Sequence, residues 1–207
     1  MFADIARDDV FHLETARLWL RWPRASDAAA IARYCGLWEV ARFTARIPHP
    51  YPEGSAERFI FAARAGNAAG TQLALTLTPV GGKRESIGGI SLEVHAGGHL
   101  ALGYVLAPEH WGKGLIGEAV AATLDAGFTL TNASEIDAGV VPENAASRRV
   151  LEKNGFVYKG TAPCGAPARG GMVVSDRFTL DRPSWEARRR SRFPLTAPDA
   201  MPHESRP

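Results

Sequence analysis

Three glycines constrain this chain more than any other feature. In the segment HWGKGLIGEA, Gly112, Gly114 and Gly117 stand at the G-x-G-x-x-G spacing, immediately ahead of a helical stretch. Glycine lets a backbone turn through conformations closed to other residues and lets it approach an anion closely. The first turn of the following helix adds unpaired N–H groups and a partial positive charge. The segment therefore reads as an anion cradle. By itself the spacing fits two different enzymes, a nicotinamide oxidoreductase and an acyl-CoA transferase, and the flanking sequence has to separate them.

Upstream of the loop the pattern is that of an antiparallel meander. Arg17 to Trp22 alternates apolar and basic residues as a half-buried strand does, and Pro23 ends it. Ser26 is placed to cap a helix through DAAAIARYCGL, and Ser55 one through AERFIFAARAG, with an irregular segment between Trp38 and Tyr51. Strands are expected at Gln72 to Pro79, Ser86 to Val94 and Leu100 to Leu106, joined by the turns GGKRE and HAGGH. Beyond the glycines a helix is expected from Glu118, a strand from Ser134 to Val141, and a helix from Glu143 to Lys153 closed by Asn154 and Gly155. Strands near Phe156 to Gly160 and Met172 to Leu180 complete the body. The residues from Arg182, with RRRSRF and several prolines, read as a mobile, solvated tail.

A dinucleotide fold needs a strand running straight into the first glycine and an acid about twenty residues on that holds the ribose. Asp137 lies near that spacing. Against this reading, Ala107 to Trp111 inserts a loop with Pro108 between strand and glycines, the preceding strands form a meander, and Asp137 falls inside its strand. A phosphate loop of the GK[ST] kind is excluded because Lys113 is followed by Gly114 and not by Ser or Thr.

The strand LGYVL, the loop WGKG, a helix, a strand and then PENAASRRVLEKNGF together resemble the GCN5-related N-acetyltransferase (GNAT) family. LETARLWLRWPRASDAAAI, IPHPYPEGSAERFI and GYVLAPEHWGKGLIGEAV resemble the branch containing the RimJ and RimL ribosomal-protein acetyltransferases. The resemblance covers about Leu13 to Trp185. It implies an α+β fold, a twisted, mixed and mostly antiparallel sheet whose central strands splay apart, flanked by helices. It also implies one domain over 13–185, with residues 1–12 an N-terminal extension and 186–207 a basic, Pro-containing tail.

By the same resemblance the ligand of the cradle is acetyl-CoA. The main chain of Tyr104, Val105 and Leu106 would pair with its pantetheine arm as an added strand pairs with a sheet edge. Trp111, Gly112, Lys113, Gly114, Leu115, Ile116 and Gly117 would hold the pyrophosphate. Trp111 and Ile116 depart from the family's R/Q-x-x-G-x-G/A pattern. Asn144 would contact the cofactor, although PEN is equally a helix start. Leu151 replaces the family's acidic tyrosine, which leaves Ser147 to protonate the departing thiolate, or to be an ordinary helix hydroxyl. Ala101 replaces the family's basic glutamate. Glu93, His95 and His99 are the substitutes nearby, acting through water.

Trp38, Phe43, His49 and Tyr51 are candidates for the wall of an acceptor groove or for ordinary packing. The acceptor would be an amine, either a protein N-terminus or a small molecule. A non-catalytic acyl-CoA-binding module remains the alternative, motivated by Leu151 and Ala101, with the oxidoreductase behind it.

Charge and composition set the remaining bounds. With 24 Lys and Arg against 22 Asp and Glu, the chain has no global field of the kind nucleic acid attracts. No run reaches transmembrane length, and MFADIARDDV has acids where a signal peptide needs an apolar core, so a cytoplasmic address is expected. Cys35 and Cys164 match no metal or redox spacing, and the six histidines show no zinc pattern, so no metal is expected. Dimers are common in the family, and composition does not decide the oligomeric state.

Overall fold

The computed structural model describes residues 1–81 and 84–192. Part of the expected GGKRE turn and the tail beyond 192 lie outside that range. Among the described residues, strands β1 (His12–Glu14), β2 (Leu18–Arg21), β3 (Gln72–Pro79), β4 (Gly88–Val94), β5 (Leu100–Leu106), β6 (Glu135–Val140), β7 (Val157–Ala166) and β8 (Gly171–Asp181) form one sheet. Its order is β1-β2-β3-β4-β5-β6-β8-β7, antiparallel everywhere except between β5 and β6. The meander expected from Gln72 to Leu106 is present in that register, with Leu75 opposite Ile90 and Ile90 opposite Tyr104.

Strand alternation sends two sets of side chains to opposite faces. Leu73, Leu75, Leu77, Ile90, Leu92, Leu100, Leu102, Ile136, Phe178 and Leu180 form the main core. Helix α4 (Leu115–Leu130) covers it with the buried residues Val120, Leu124 and Phe128. The opposite face is covered over β3 and its neighbours by α1 (Ala28–Cys35) and α3 (Ser55–Ala69), through Ile31, Tyr34 and Ile60. Asn67 fastens α3 to the sheet, donating to the Ala74 carbonyl and accepting from the Ala74 amide with its side chain fully buried. Neither α1 nor α3 is capped as expected. Asp27 and Gly54, rather than Ser26 and Ser55, precede these helices, and Gly54 starts α3 from a left-handed φ of 71°.

Asp27 has a different task. Its carboxylate accepts from the Arg24 amide at 2.8 Å and from both terminal nitrogens of Arg21 at 2.8 Å, and the Arg21 and Asp27 side chains are both buried. The fork-on-fork geometry ties the end of β2 to the start of α1.

Four further elements depart from the sequence reading, the first being strand β1, which pairs with β2 where no strand was expected. The segment after Leu37 contains a short helix α2 (Trp38–Ala41). Strand β7 continues past Gly160 to Ala166, because the bulge between Tyr158 and Gly160 resets its register with β8 instead of ending it. Residues Arg182–Arg192 form helix α6, where a mobile tail was expected. Asp181 accepts from the Ser184 amide at its start, and Trp185 stacks on Phe128 with its indole N–H donated to Asp125. The first residues are also packed: Phe2 and Ala6 are buried in the main core.

Removing the Asp27 carboxylate leaves a buried guanidinium without its counter-ion. Asp27→Ala is expected to lower unfolding stability by about 3–5 kcal/mol in urea titrations, the usual cost of breaking a buried pair on one side.

Candidate functional site

The one parallel pairing in the sheet is also the one that fails partway. Leu100, Ala101 and Leu102 of β5 pair with Ile136, Asp137 and Ala138 of β6, and pairing ends there. Beyond that point β5 stays with β4 as far as Leu106 opposite Gly88, while β6 stays with β8 as far as Val140 opposite Asp176. The two halves of the sheet open into a fork. At its apex stand Gly103 and Gly139, both exposed and both without a side chain to close it.

A cavity of about 540 Å³ occupies the fork and runs to the start of α4. The Ala107 amide donates to the Ile87 carbonyl, so by strand alternation the odd-numbered amides of β5 face β4. The N–H and C=O groups of Tyr104 and Leu106 therefore turn into the fork. Val105, expected to join them, has its main chain opposite Gly89 and its side chain against the second core. The Leu106 carbonyl is already occupied, since the Trp111 indole donates to it at 2.7 Å. That contact gives Trp111 a structural reason for standing where the family pattern has Arg or Gln.

At the other end, Gly112 and Gly114 take left-handed φ values of 72° and 75°, turning the chain into α4. The helix begins at Leu115, earlier than Glu118, so the amides of Leu115, Ile116 and Gly117 have no intrahelical acceptor. A Cβ built on Gly117 would meet nothing within 4 Å and would enter the groove. A cradle kept clear in this way fits the phosphates of coenzyme A. Lys113 does not join it: its ammonium folds back to donate to the Glu109 carbonyl. The cations that do line the groove are Arg149 and Lys153, both exposed on α5 (Ala145–Lys153), which the sequence reading did not single out.

Arg17 holds the turn from behind. Its Nη1 donates to the Lys113 carbonyl at 2.8 Å, and its Nε donates to Glu118 Oε2 at 2.7 Å. Glu118 also accepts from the Thr15 hydroxyl and from the Arg17 amide. Burial pushes the Glu118 carboxyl up, but these hydrogen bonds together outweigh it and leave the group below its ordinary range.

On the far wall, Asn144 is the cap of α5, its Oδ1 accepting from the Ser147 amide at 3.0 Å. It lines the groove as well. Ser147 meets the Tyr104 phenol, oxygen to oxygen, at 2.7 Å. Burial pushes the Tyr104 hydroxyl up to about 12, against a smaller downward effect from Ser147. The phenol is thus a firm proton holder at neutral pH. The sequence reading assigned Tyr104 a main-chain role only. Leu151, at the expected tyrosine position, is fully buried core.

The remaining candidates separate. Phe43 lines the groove with Glu39, Val40 and Thr44. Trp38 instead packs edge-on against His49, and His49 and Tyr51 line a different depression beside α1 and α3. Glu93 is outside the groove lining and is held by both terminal nitrogens of Arg46, at 2.5 and 2.6 Å. Its carboxylate is thus directed to Arg46 and not into the fork. His95 and His99 sit at the far hairpin, His99 being 4.0 Å from Glu135. Asp137, the acid that suggested a dinucleotide, lies within β6 in register with Ala101 and accepts from the Thr179 hydroxyl at 2.6 Å. It is not at a strand end where a ribose would sit, and the antiparallel β3–β5 meander is not a dinucleotide fold. Among the described residues no three His, Cys, Asp or Glu side chains cluster as metal ligands, and no helix is long and apolar enough to cross a membrane. Cys35 and Cys164 are free thiols.

The forked sheet and the glycine turn together make one long cleft that runs from between the strands to the start of a helix. The chain belongs to the GNAT acetyltransferase family: the domain described as "Acetyltransferase (GNAT) domain" matches residues 17–157. "Uncharacterized N-acetyltransferase p20" of Bacillus licheniformis is 37% identical over 83 residues, which are 40% of this chain and 47% of that protein. The aligned part thus spans about half the length of this curated relative. Mycobacterium smegmatis RimJ in complex with CoA-disulfide has the same fold, with a TM-score of 0.71 at 24% identity over 80% of this chain and 82% of that one. Ribosomal-protein-S5-alanine acetyltransferase from Vibrio fischeri gives a TM-score of 0.72 at 24% identity, covering 84% and 98%.

Two outcomes follow from the clamp on the glycine turn. Because the Glu118 carboxyl is depressed in the folded state, its contribution is present above the ordinary carboxylate range and is lost as pH falls through the folded value. Between about pH 5 and pH 3 the melting temperature of the wild type should therefore fall more steeply than that of Glu118→Gln, followed by differential scanning calorimetry. Arg17→Ala should weaken CoA binding roughly tenfold, or about 1.4 kcal/mol by calorimetric titration, while the far-UV spectrum stays unchanged.

Proposed function

We propose that this protein transfers the acetyl group of acetyl-CoA to an amine, by direct attack within a ternary complex and in the cytoplasm. The observation that carries the reading is the fork, closed at one end by the glycine turn and open at Gly103 and Gly139 on the other face. The Tyr104 and Leu106 main chain would hold the pantetheine arm. The α4 amides with Arg149 and Lys153 would hold the phosphates.

Acetyl-CoA supplies an activated thioester. The chain supplies position, a path for the amine proton and a proton for sulfur. As the amine nitrogen bonds to the carbonyl carbon, the carbon–sulfur bond breaks and the amine proton leaves through water. The thiolate takes a proton from the Ser147 hydroxyl, the Tyr104 phenol at 2.7 Å passes its own proton to Ser147, and the phenolate, a strong base, regains a proton from the water that carries the amine proton away. This hydroxyl pair is what favours an enzyme over a CoA-binding module without turnover, since binding alone does not require a proton donor there.

Thermal shift with CoA and with NAD is the direct test: stabilisation by CoA and none by NAD is expected. Gly117→Leu should leave the unliganded melting temperature unchanged or slightly raised, because a helical glycine is replaced, and should abolish the CoA shift by filling the cradle. Ser147→Ala and Tyr104→Phe should each lower kcat for thiol release about 10–100-fold with little change in CoA affinity, the usual range for losing a general acid.

A further inference from the structure

The acetyl-transfer reading leaves the acceptor unnamed, and the exposed side of the fork apex bears on it. On that face the next outward side chains of β6 and β8 are Asp137, Thr179 and Arg177, because Ile136, Ala138, Phe178 and Leu180 all go to the core. Arg177 stands opposite Gly139, and its Nη1 lies 3.6 Å from where a Gly139 Cβ would be. The guanidinium therefore leans over the apex itself. It forms no ion pair or hydrogen bond with any described residue, and it is half-buried. Other arginines nearby differ in this respect: Arg46 is taken by Glu93, Arg148 by Asp176 and Arg169 by Glu143.

Asp137 is Arg177's diagonal neighbour on the same face, yet the two are not paired. Asp137 takes the Thr179 hydroxyl instead. Two residues along a strand separate it from Gly139, about 7 Å. The apex thus presents a cation at the opening and an anion farther down the same face.

We propose that Arg177 binds a carboxylate carried next to the acceptor amine, so that the acceptor is a small amino acid with a free carboxylate rather than a polyamine or a protein N-terminus. The inference rests on the acetyl-transfer reading. A guanidinium recognises a carboxylate through paired, charge-assisted hydrogen bonds. At the apex it would hold that carboxylate a few bonds from the amine that attacks. A polyamine would bring a second cation against Arg177, and a peptide N-terminus would leave the guanidinium unmatched. Asp137 completes the complementarity, since a dipolar acceptor places its ammonium toward that side before it loses the proton. Arg177 is a positioning residue in this scheme.

The test is thiol release from acetyl-CoA with the standard amino acids, their carboxamides, spermidine and an alanyl peptide, using wild type, Arg177→Gln and Arg177→Lys. At least one amino acid is expected to exceed its own carboxamide in kcat/KM by tenfold or more. Arg177→Gln should erase that difference through KM, with the CoA thermal shift intact, and Arg177→Lys should restore part of it. Equal or better turnover of carboxamides, spermidine or the peptide, or no effect of Arg177→Gln, overturns the inference and leaves acetyl transfer standing. Silence across all amino acids with the CoA shift present overturns it too. Loss of the CoA shift in the wild type overturns the acetyl-transfer reading itself.

Discussion

The structure depends on a competition between strand pairings. β5 and β6 are the parallel neighbours at the centre of the sheet, and each also has an antiparallel partner, β4 and β8 respectively. Adjacent strands rotate relative to one another, and antiparallel ladders hold slightly better per residue than parallel ones. After three paired residues each strand follows its antiparallel partner, and the central ladder opens. The opening leaves the main-chain donor and acceptor of Tyr104 and the amide of Leu106 without a strand to bind, the Leu106 carbonyl being taken by the Trp111 indole. Unpaired groups of that kind require water or a ligand, and the pantetheine amides of coenzyme A match them. In the proposed function, that defect in the sheet is the binding site.

The fork is useful only if the helix that follows β5 starts at a fixed distance from it. Two left-handed glycines turn the chain sharply, but glycines by themselves also make a turn loose. Arg17 compensates from another part of the chain. It joins the Lys113 carbonyl to the Glu118 carboxylate, and Thr15 and the Arg17 amide complete the carboxylate's partners. The β1–β2 connection thereby becomes the backing of the phosphate cradle. The groups whose stability contribution acid is expected to remove are thus the same ones that hold the proposed cradle in place.

Most of the sheet and helices were legible from short-range patterns. Alternation in QLALTLTP and in the strands near ISLEV and LALGYV gave the meander, and the glycine spacing gave the cradle. Asn144 was legible as a cap and was found as one. What escaped depended on partners far away in the sequence. The Tyr104 phenol gains its meaning from Ser147, 43 positions later, and Arg17 from Glu118, 101 positions later. Glu93 looked available as a base until Arg46 reached it. The RRRSRF run looked like a loose end because its charges dominate; the docking of Trp185 on Phe128 and the Asp181 cap are what make the preceding residues helical.

The sequence by itself determined the anion cradle, the order of elements and the family they resemble, because glycine torsions, caps and hydrophobic periods act over a few residues. Tertiary structure alone decided where the sheet opens, which hydroxyls meet beside it, which carboxylates are already neutralised and which arginine is left free at the apex. Those outcomes depend on competition among strands and charges distant in the chain, and no local pattern encodes which pairing wins.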